Sequence, residues 1–166
     1  MSLQVKADEL PVEAFGSLPV SGVALSPDGN KIAYKGVSDG YIFIASLNLK
    51  TKKKKYLIHT DNKIFKLGWF RWANDNIILV SAHYPNQLGA VKFGENRLLK
   101  VAAGGSGSVA PVFVPKKNER IPQYQANVID FIPDDPDHIL IALNLDHWQY
   151  PDVYKINIAS ARVRRS

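Results

Sequence analysis

Short runs of alternating apolar and polar residues recur along this chain, with turn residues between them. Four such runs open the chain, and the first two turns are Asp28-Gly29 and Ser38-Asp39-Gly40. Runs rich in β-branched and aromatic residues predict strands, and Asp-Gly between two of them is a hairpin signal. The four runs cover residues 21–25, 31–35, 41–47 and 54–58. Together they predict an antiparallel meander.

The same unit recurs twice further along the chain. Residues 66–72 lead through a polar turn into the run at 76–82, and residues 127–132 lead through another into 138–143. The first repeat distance fits the roughly 40–50 residues of a four-stranded propeller blade. The second distance is longer and predicts an insertion. The Gly/Ser-rich loop at 104–108 is the candidate for it.

These repeats predict an all-β fold, an incomplete β-propeller of two to three four-stranded antiparallel blades. Propellers usually close with four to eight blades. We therefore expect either further blades beyond residue 166 or self-association of the chain through its open faces. The expected divisions are a lead-in at 1–17 with one helical turn at 11–15, blade one at 18–60, blade two at 61–108 with the Gly/Ser loop, and a partial blade three at 109–166.

Three segments carry a family resemblance. Residues 25–34 read LSPDGNKIAY, which resembles the repeat motif of TolB-like propellers. Together with KLGWFRW at 66–72 and DFIPDDPD at 130–137, the order resembles the N-terminal propeller of the prolyl oligopeptidase family of serine peptidases. Its acylaminoacyl- and dipeptidyl-peptidase-like bacterial members are the most similar. The resemblance runs from about residue 11 to residue 164.

This resemblance implies a non-catalytic propeller that gates or positions peptide substrates for a C-terminal α/β-hydrolase domain absent from this chain. The family's catalytic Ser, Asp and His lie in that domain, so no catalytic residue is assigned here and the chain itself is not expected to be an enzyme. Its implied partners are the hydrolase domain and a peptide. The resemblance alone implies an exported, periplasmic bacterial location. The alternative is a TolB-like protein–protein interaction module without an enzymatic parent.

Composition narrows the chemistry. The chain has 166 residues, 46% hydrophobic and 22% charged, which suits one globular domain. The absence of cysteine excludes disulfides, Cys-based zinc sites and thiol catalysis. Neither a membrane span of ~20 apolar residues nor the apolar core of a signal peptide is visible. We expect no cofactor, no metal site and no membrane partner.

The net charge of +6 raises a third alternative, nucleic-acid binding. The excess cations are concentrated in Lys50 with the run 52–55, and in Arg162, Arg164 and Arg165. No aromatic residues that could stack on bases are interleaved with the lysines. We therefore interpret the run as a solvated turn between strands and expect no nucleic-acid partner.

Two motifs resemble functional sites but are interpreted structurally. Residues 36–40 match the letters G-x-S-x-G, yet a strand follows them where a nucleophile elbow needs a helix, so we predict a hairpin turn. Asp134, Asp135 and Asp137 suggest a calcium loop, but the glycine and glutamate of an EF-hand are lacking. We expect these aspartates to accept backbone N–H bonds in a turn.

The histidines and tryptophans receive similar interpretations. No two histidines have a recognisable metal-ligand spacing, and each is expected to be a surface or strand-edge residue. Trp69 is expected to pack between blades, whereas Trp148 lies in a long connection, where contact with a partner domain is the alternative interpretation. The histidines are His59, His83, His138 and His147.

Overall fold

A computed structural model describes residues 20–117, 119–147 and 149–165 as twelve antiparallel strands in three four-stranded sheets. In every sheet, each strand pairs with the next one along the chain. The sheets do not close into a ring. This confirms the prediction of an incomplete propeller, with three blades. The helical turn expected at 11–15 lies outside the described residues.

The first sheet is the predicted four-stranded meander. Asp39 and Gly40 have positive φ values of 52° and 78°, as the two central residues of a type I′ hairpin turn require. This places the G-x-S-x-G letters in a hairpin turn, as predicted. The strands are β1 (Val20–Leu25), β2 (Lys31–Ser38), β3 (Tyr41–Asn48) and β4 (Lys54–Thr60).

The second sheet contains a long hairpin that the sequence pattern missed. Its two central strands are 12 residues long, against 8 in the first sheet. This hairpin and the segment 112–127 account for most of the extra length before the third sheet, so assigning the insertion to 104–108 was wrong. The strands are β5 (Lys66–Trp72), β6 (Ile77–Leu88), β7 (Val91–Ala102) and β8 (Ala110–Pro111). The last of them lies beyond the boundary predicted at residue 108.

The third sheet has short outer strands around a central pair. The central pair is in register from His138 opposite Asn157 to Leu143 opposite Asp152. The strands are β9 (Val128–Asp130), β10 (His138–Leu143), β11 (Asp152–Asn157) and β12 (Val163–Arg165).

The second sheet lies between the other two and has an apolar core on each face. Strand alternation sends Ile78 and Val80 toward the first sheet, and Leu79 toward the third. One core contains Ala33, Ile44, Ile58 and Trp72, and the other contains Leu98, Phe113, Ile139, Ile141 and Ile156. Stacking sheets through such cores is what defines neighbouring propeller blades.

Within the described ranges, no helix is long and apolar enough to cross a membrane.

Candidate functional site

The turns that join the first two strands of each sheet lie side by side at one end of the stack. The backbone N–H of Asp28 donates to Oδ1 of Asp75 (2.8 Å), and Nζ of Lys31 donates to the carbonyl of Asp75 (3.0 Å). Nδ2 of Asn74 donates to the carbonyl of Pro136 (3.1 Å). These bonds tie the first turn to the second and the second to the third.

The first turn is rigid because its own side chains bond to one another. Oγ of Ser26 donates to Oδ1 of Asp28 (2.6 Å), and the backbone N–H of Asn30 donates to the same oxygen (3.0 Å). The bonds from Ser26 and then Asn30 hold the pKa of the Asp28 carboxyl well below its usual range. The carboxylate therefore stays ionised and organises the turn at every physiological pH.

A hollow of about 650 Å³ opens at this end, chiefly between the second and third sheets. We call it the seam crevice. Its apolar walls include Pro27, Ile77, Phe131, Pro133 and Pro136, and its polar groups include Arg71, Asn74, Asp75 and Asp137. Its size and its mixture of apolar walls with a few polar groups are typical of small-ligand sites.

Arg71 crosses from the second sheet to the third. Its guanidinium carbon lies 4.1 Å from the ring centroid of Phe131. Trp69, two residues earlier on the same face of β5, meets that ring edge-on at 6.4 Å. Arg71 and Phe131 line both the seam crevice and a second hollow of about 390 Å³. The stacked pair therefore lies where the two hollows meet.

A half-buried lysine, Lys100, also joins the second and third sheets. Nζ of Lys100 donates to the carbonyls of Ile158 and Ala159, both at 2.6 Å. Burial lowers the pKa of this lysine. Since two of the three N–H donors of the ammonium bond to carbonyl oxygens that follow β11, this lysine joins the second sheet to the third.

The tryptophans separate into two roles. Trp72 is 6% exposed, and its Nε1 donates to the carbonyl of Ala24 in the first sheet (3.0 Å), so it packs between sheets. Trp69 also contacts a neighbouring sheet, as predicted, but it remains 38% exposed at the seam. Trp148 lies outside the described residues.

Asp135, one of the three aspartates of the third turn, behaves differently from the prediction. Asp135 accepts from Lys155 and His138 side chains rather than from a backbone N–H, at 2.6 and 2.8 Å. Those contacts, the lysine first, lower the pKa of its carboxyl. The backbone N–H of Ile132 donates a hydrogen bond to Oδ1 of Asp130 instead (3.0 Å). The prediction failed because a cation on the adjacent strand was within reach of Asp135.

The histidines lie in separate places. His59 is exposed on β4 beside the Tyr41 ring, and His83 is exposed on β6. His138 opens β10 as expected, and His147 is exposed in the following connection. Within the described ranges, no three His, Asp or Glu side chains are grouped closely enough to hold a metal ion.

Lys50, Lys52 and Lys53 lie in the turn between β3 and β4, as predicted, whereas Lys54 and Lys55 are the first residues of β4. All five lysines are exposed. Nζ of Lys54 lies 4.7 Å from the ring centroid of Tyr56. That ring belongs to an edge-on series in which Phe43 meets Tyr34 at 6.1 Å and Tyr56 at 5.0 Å. The series lies on the face of the first sheet that points away from the second.

Arg71 and Phe131 were not among the residues predicted to be functional. The available signal was the alternation in β5, which places Trp69 and Arg71 on one face. What the sequence could not show is that this face meets Phe131, because the two segments are separated by the long hairpin and the 112–127 segment.

Comparison with solved structures identifies the fold. An acylaminoacyl peptidase, solved in complex with Z-Gly-Gly-Phe-chloromethyl ketone, matches 89% of this chain with a TM-score of 0.55 and 15% identity. TolB from Acinetobacter baumannii matches 89% of the chain with a TM-score of 0.48 and 15% identity. Both contain β-propellers. The chain spans 25% of the peptidase and 32% of TolB. No family model and no curated protein matches the sequence.

Proposed function

We propose that this chain is a non-catalytic propeller segment of a serine peptidase related to the prolyl oligopeptidase family. In the parent protein it gates or positions peptide substrates for a C-terminal α/β-hydrolase domain. The supporting observation is the fold likeness to an acylaminoacyl peptidase over 89% of this chain, while the chain spans only 25% of that enzyme.

A peptide-handling role is compatible with the chemistry at the seam crevice. A hollow of about 650 Å³ with proline and aromatic walls offers apolar contacts to an extended peptide. Arg71 and the aspartates of the crevice supply charges of both signs. These features suit binding and orientation, which need no nucleophile.

The experiment uses the native protein, captured from the source cells with an antibody raised against this chain. We expect the captured protein to hydrolyse short peptides. It should hydrolyse folded proteins that contain the same peptide sequences only slightly, because the propeller admits only small substrates. The recombinant 166-residue chain is the control and should hydrolyse neither. Equal hydrolysis of peptides and folded proteins would contradict gating. A captured protein without any peptidase activity would instead favour an interaction module.

A further inference from the structure

We propose that Arg71 is a carboxylate-binding residue and that the seam crevice takes the C-terminal end of a peptide. The inference rests on the proposed function, because it assumes that the parent protein handles peptides. It adds the group that is recognised, a free α-carboxylate, and the side chain that recognises it.

The Arg71 side chain is held in place by an aromatic ring. Its guanidinium lies 4.1 Å from the Phe131 ring centroid, which holds it against the third sheet. The ring is itself braced edge-on by Trp69. A guanidinium held by an aromatic ring keeps N–H donors free to bond in its own plane, in the fork geometry that matches a carboxylate. The stack therefore positions Arg71 without using its hydrogen-bonding capacity.

Two other arginines of the described residues are paired with carboxylates, unlike Arg71. Nη2 of Arg97 lies 2.7 Å from Oε2 of Glu95, and Nη2 of Arg165 lies 2.8 Å from Oδ1 of Asp152. Within residues 20–117, 119–147 and 149–165, no carboxylate lies within ion-pair distance of Arg71. Arg71 thus combines an aromatic support, a hollow beside it and a charge without a carboxylate partner in this part of the chain.

The acidic residues of the seam crevice limit which anion can bind beside Arg71. Asp75 and Asp137 line the same crevice as Arg71. One oxygen of Asp75 is already bonded to the N–H of Asp28, so that carboxylate is fixed in place. Two fixed or nearby negative charges disfavour a ligand with several charges of its own, such as a phosphate ester. They favour a ligand with one carboxylate and, further along its length, an amino group.

The walls of the seam crevice are largely apolar. Pro133 and Pro136 from the third turn and Pro27 from the first line the crevice beside the Phe131 ring. The prolines offer apolar area without a backbone N–H that would need a partner, and the aromatic ring adds further apolar area. They suit the apolar side chains of a short peptide whose carboxylate is held at Arg71.

The test measures binding of a short apolar tripeptide to the purified 166-residue chain by calorimetry at low salt. The same tripeptide with an amidated C-terminus is the comparison ligand. We expect the free acid to bind about tenfold or more tightly than the amide, the range for hydrogen bonds to a charged group. Arg71→Gln should remove that preference, and Arg71→Lys should restore only part of it, because an ammonium cannot form the fork.

Arg164→Gln is the matched control, since it removes the same charge from an exposed position on β12. It should leave the preference unchanged. Circular dichroism of each variant checks that the fold is retained. Equal binding of acid and amide, absence of binding by both, or the same loss in Arg164→Gln as in Arg71→Gln would each overturn the assignment.

The proposed function and this inference can fail separately. Peptidase activity of the captured native protein without any carboxylate preference in the chain would remove only the role of Arg71. A carboxylate preference that depends on Arg71, with no peptidase activity in the native protein, would retain the peptide site and remove the peptidase.

Discussion

Replacing Trp72 by alanine should destabilise the contact between the first and second sheets. The side chain is 6% exposed, and its Nε1 donates to the Ala24 carbonyl across the seam at 3.0 Å. A buried tryptophan removes roughly 200 Å² from water. At about 25 cal/mol per Å², that burial is worth about 5 kcal/mol. Measured losses for such truncations, about 3–5 kcal/mol, agree with this value.

Domains of this size are stable by about 5–15 kcal/mol, so Trp72→Ala could remove much of the total. Trp72→Phe is therefore the second variant, because it keeps most of the apolar contact and loses only the donor to Ala24. We expect it to cost about 1–2 kcal/mol, the order for losing one hydrogen bond to a half-buried carbonyl.

The assay is urea unfolding followed by far-ultraviolet circular dichroism, which does not depend on the tryptophan that is removed. Tyr150→Ala is the control, since Tyr150 is 72% exposed and its loss should change the free energy of unfolding little. A loss below about 1 kcal/mol in Trp72→Ala would refute the packing argument. If that variant does not fold, an unchanged midpoint in Trp72→Phe would refute it instead.

Three further outcomes are expected. Gly36→Ala should lower the free energy of unfolding by about 1–3 kcal/mol, because the added Cβ would lie 2.5 Å from the ring of Phe43. Gly94→Ala is the control, since its Cβ would meet no atom within 4 Å. Urea unfolding midpoints of the two variants measure the difference, and equal midpoints would contradict the expectation. Burial, then the bond to a carboxylate, raises the pKa of Tyr154 to about 12, so its contribution to stability is complete below pH ~10 and is lost as the pH rises through 12. The tyrosinate absorbance of wild type minus Tyr154→Phe should titrate there, and a midpoint near 10 would contradict this. Light scattering should show self-association, and Tyr56→Lys should reduce it on the exposed aromatic face; a wild-type monomer at high concentration would contradict the open-face argument.

Local chemistry explains why the first sheet was predictable from the sequence. Asp and Gly tolerate the positive φ values that a type I′ hairpin turn needs at its two central positions. Asp39 and Gly40 adopt such values between two alternating apolar runs. The motif that begins at Ser26 works in the same way, because its turn is held by bonds between residues two to five positions apart. Such signals lie within a few residues and survive in a single sequence.

Features that depend on distant segments were not predictable. The length of the β6–β7 hairpin is set by pairing that runs to Leu88 opposite Val91, where the sequence is polar and carries no strong strand signal. The Arg71–Phe131 stack needs two sheets to pack in one orientation. Asp135 forms an ion pair with Lys155 instead of accepting a backbone N–H bond, because β11 places that lysine beside it.

The most direct test of the account uses a fluorophosphonate probe, which labels active serine hydrolases. Source-cell lysate is labelled, and the protein recognised by an antibody against this chain is isolated and sized. The account predicts a labelled protein much larger than this chain, whose coding sequence continues past Ser166 into an α/β-hydrolase domain with a G-x-S-x-G elbow. The recombinant chain itself should not be labelled. An isolated native protein that carries no label, or labelling of the 166-residue chain itself, would contradict the account.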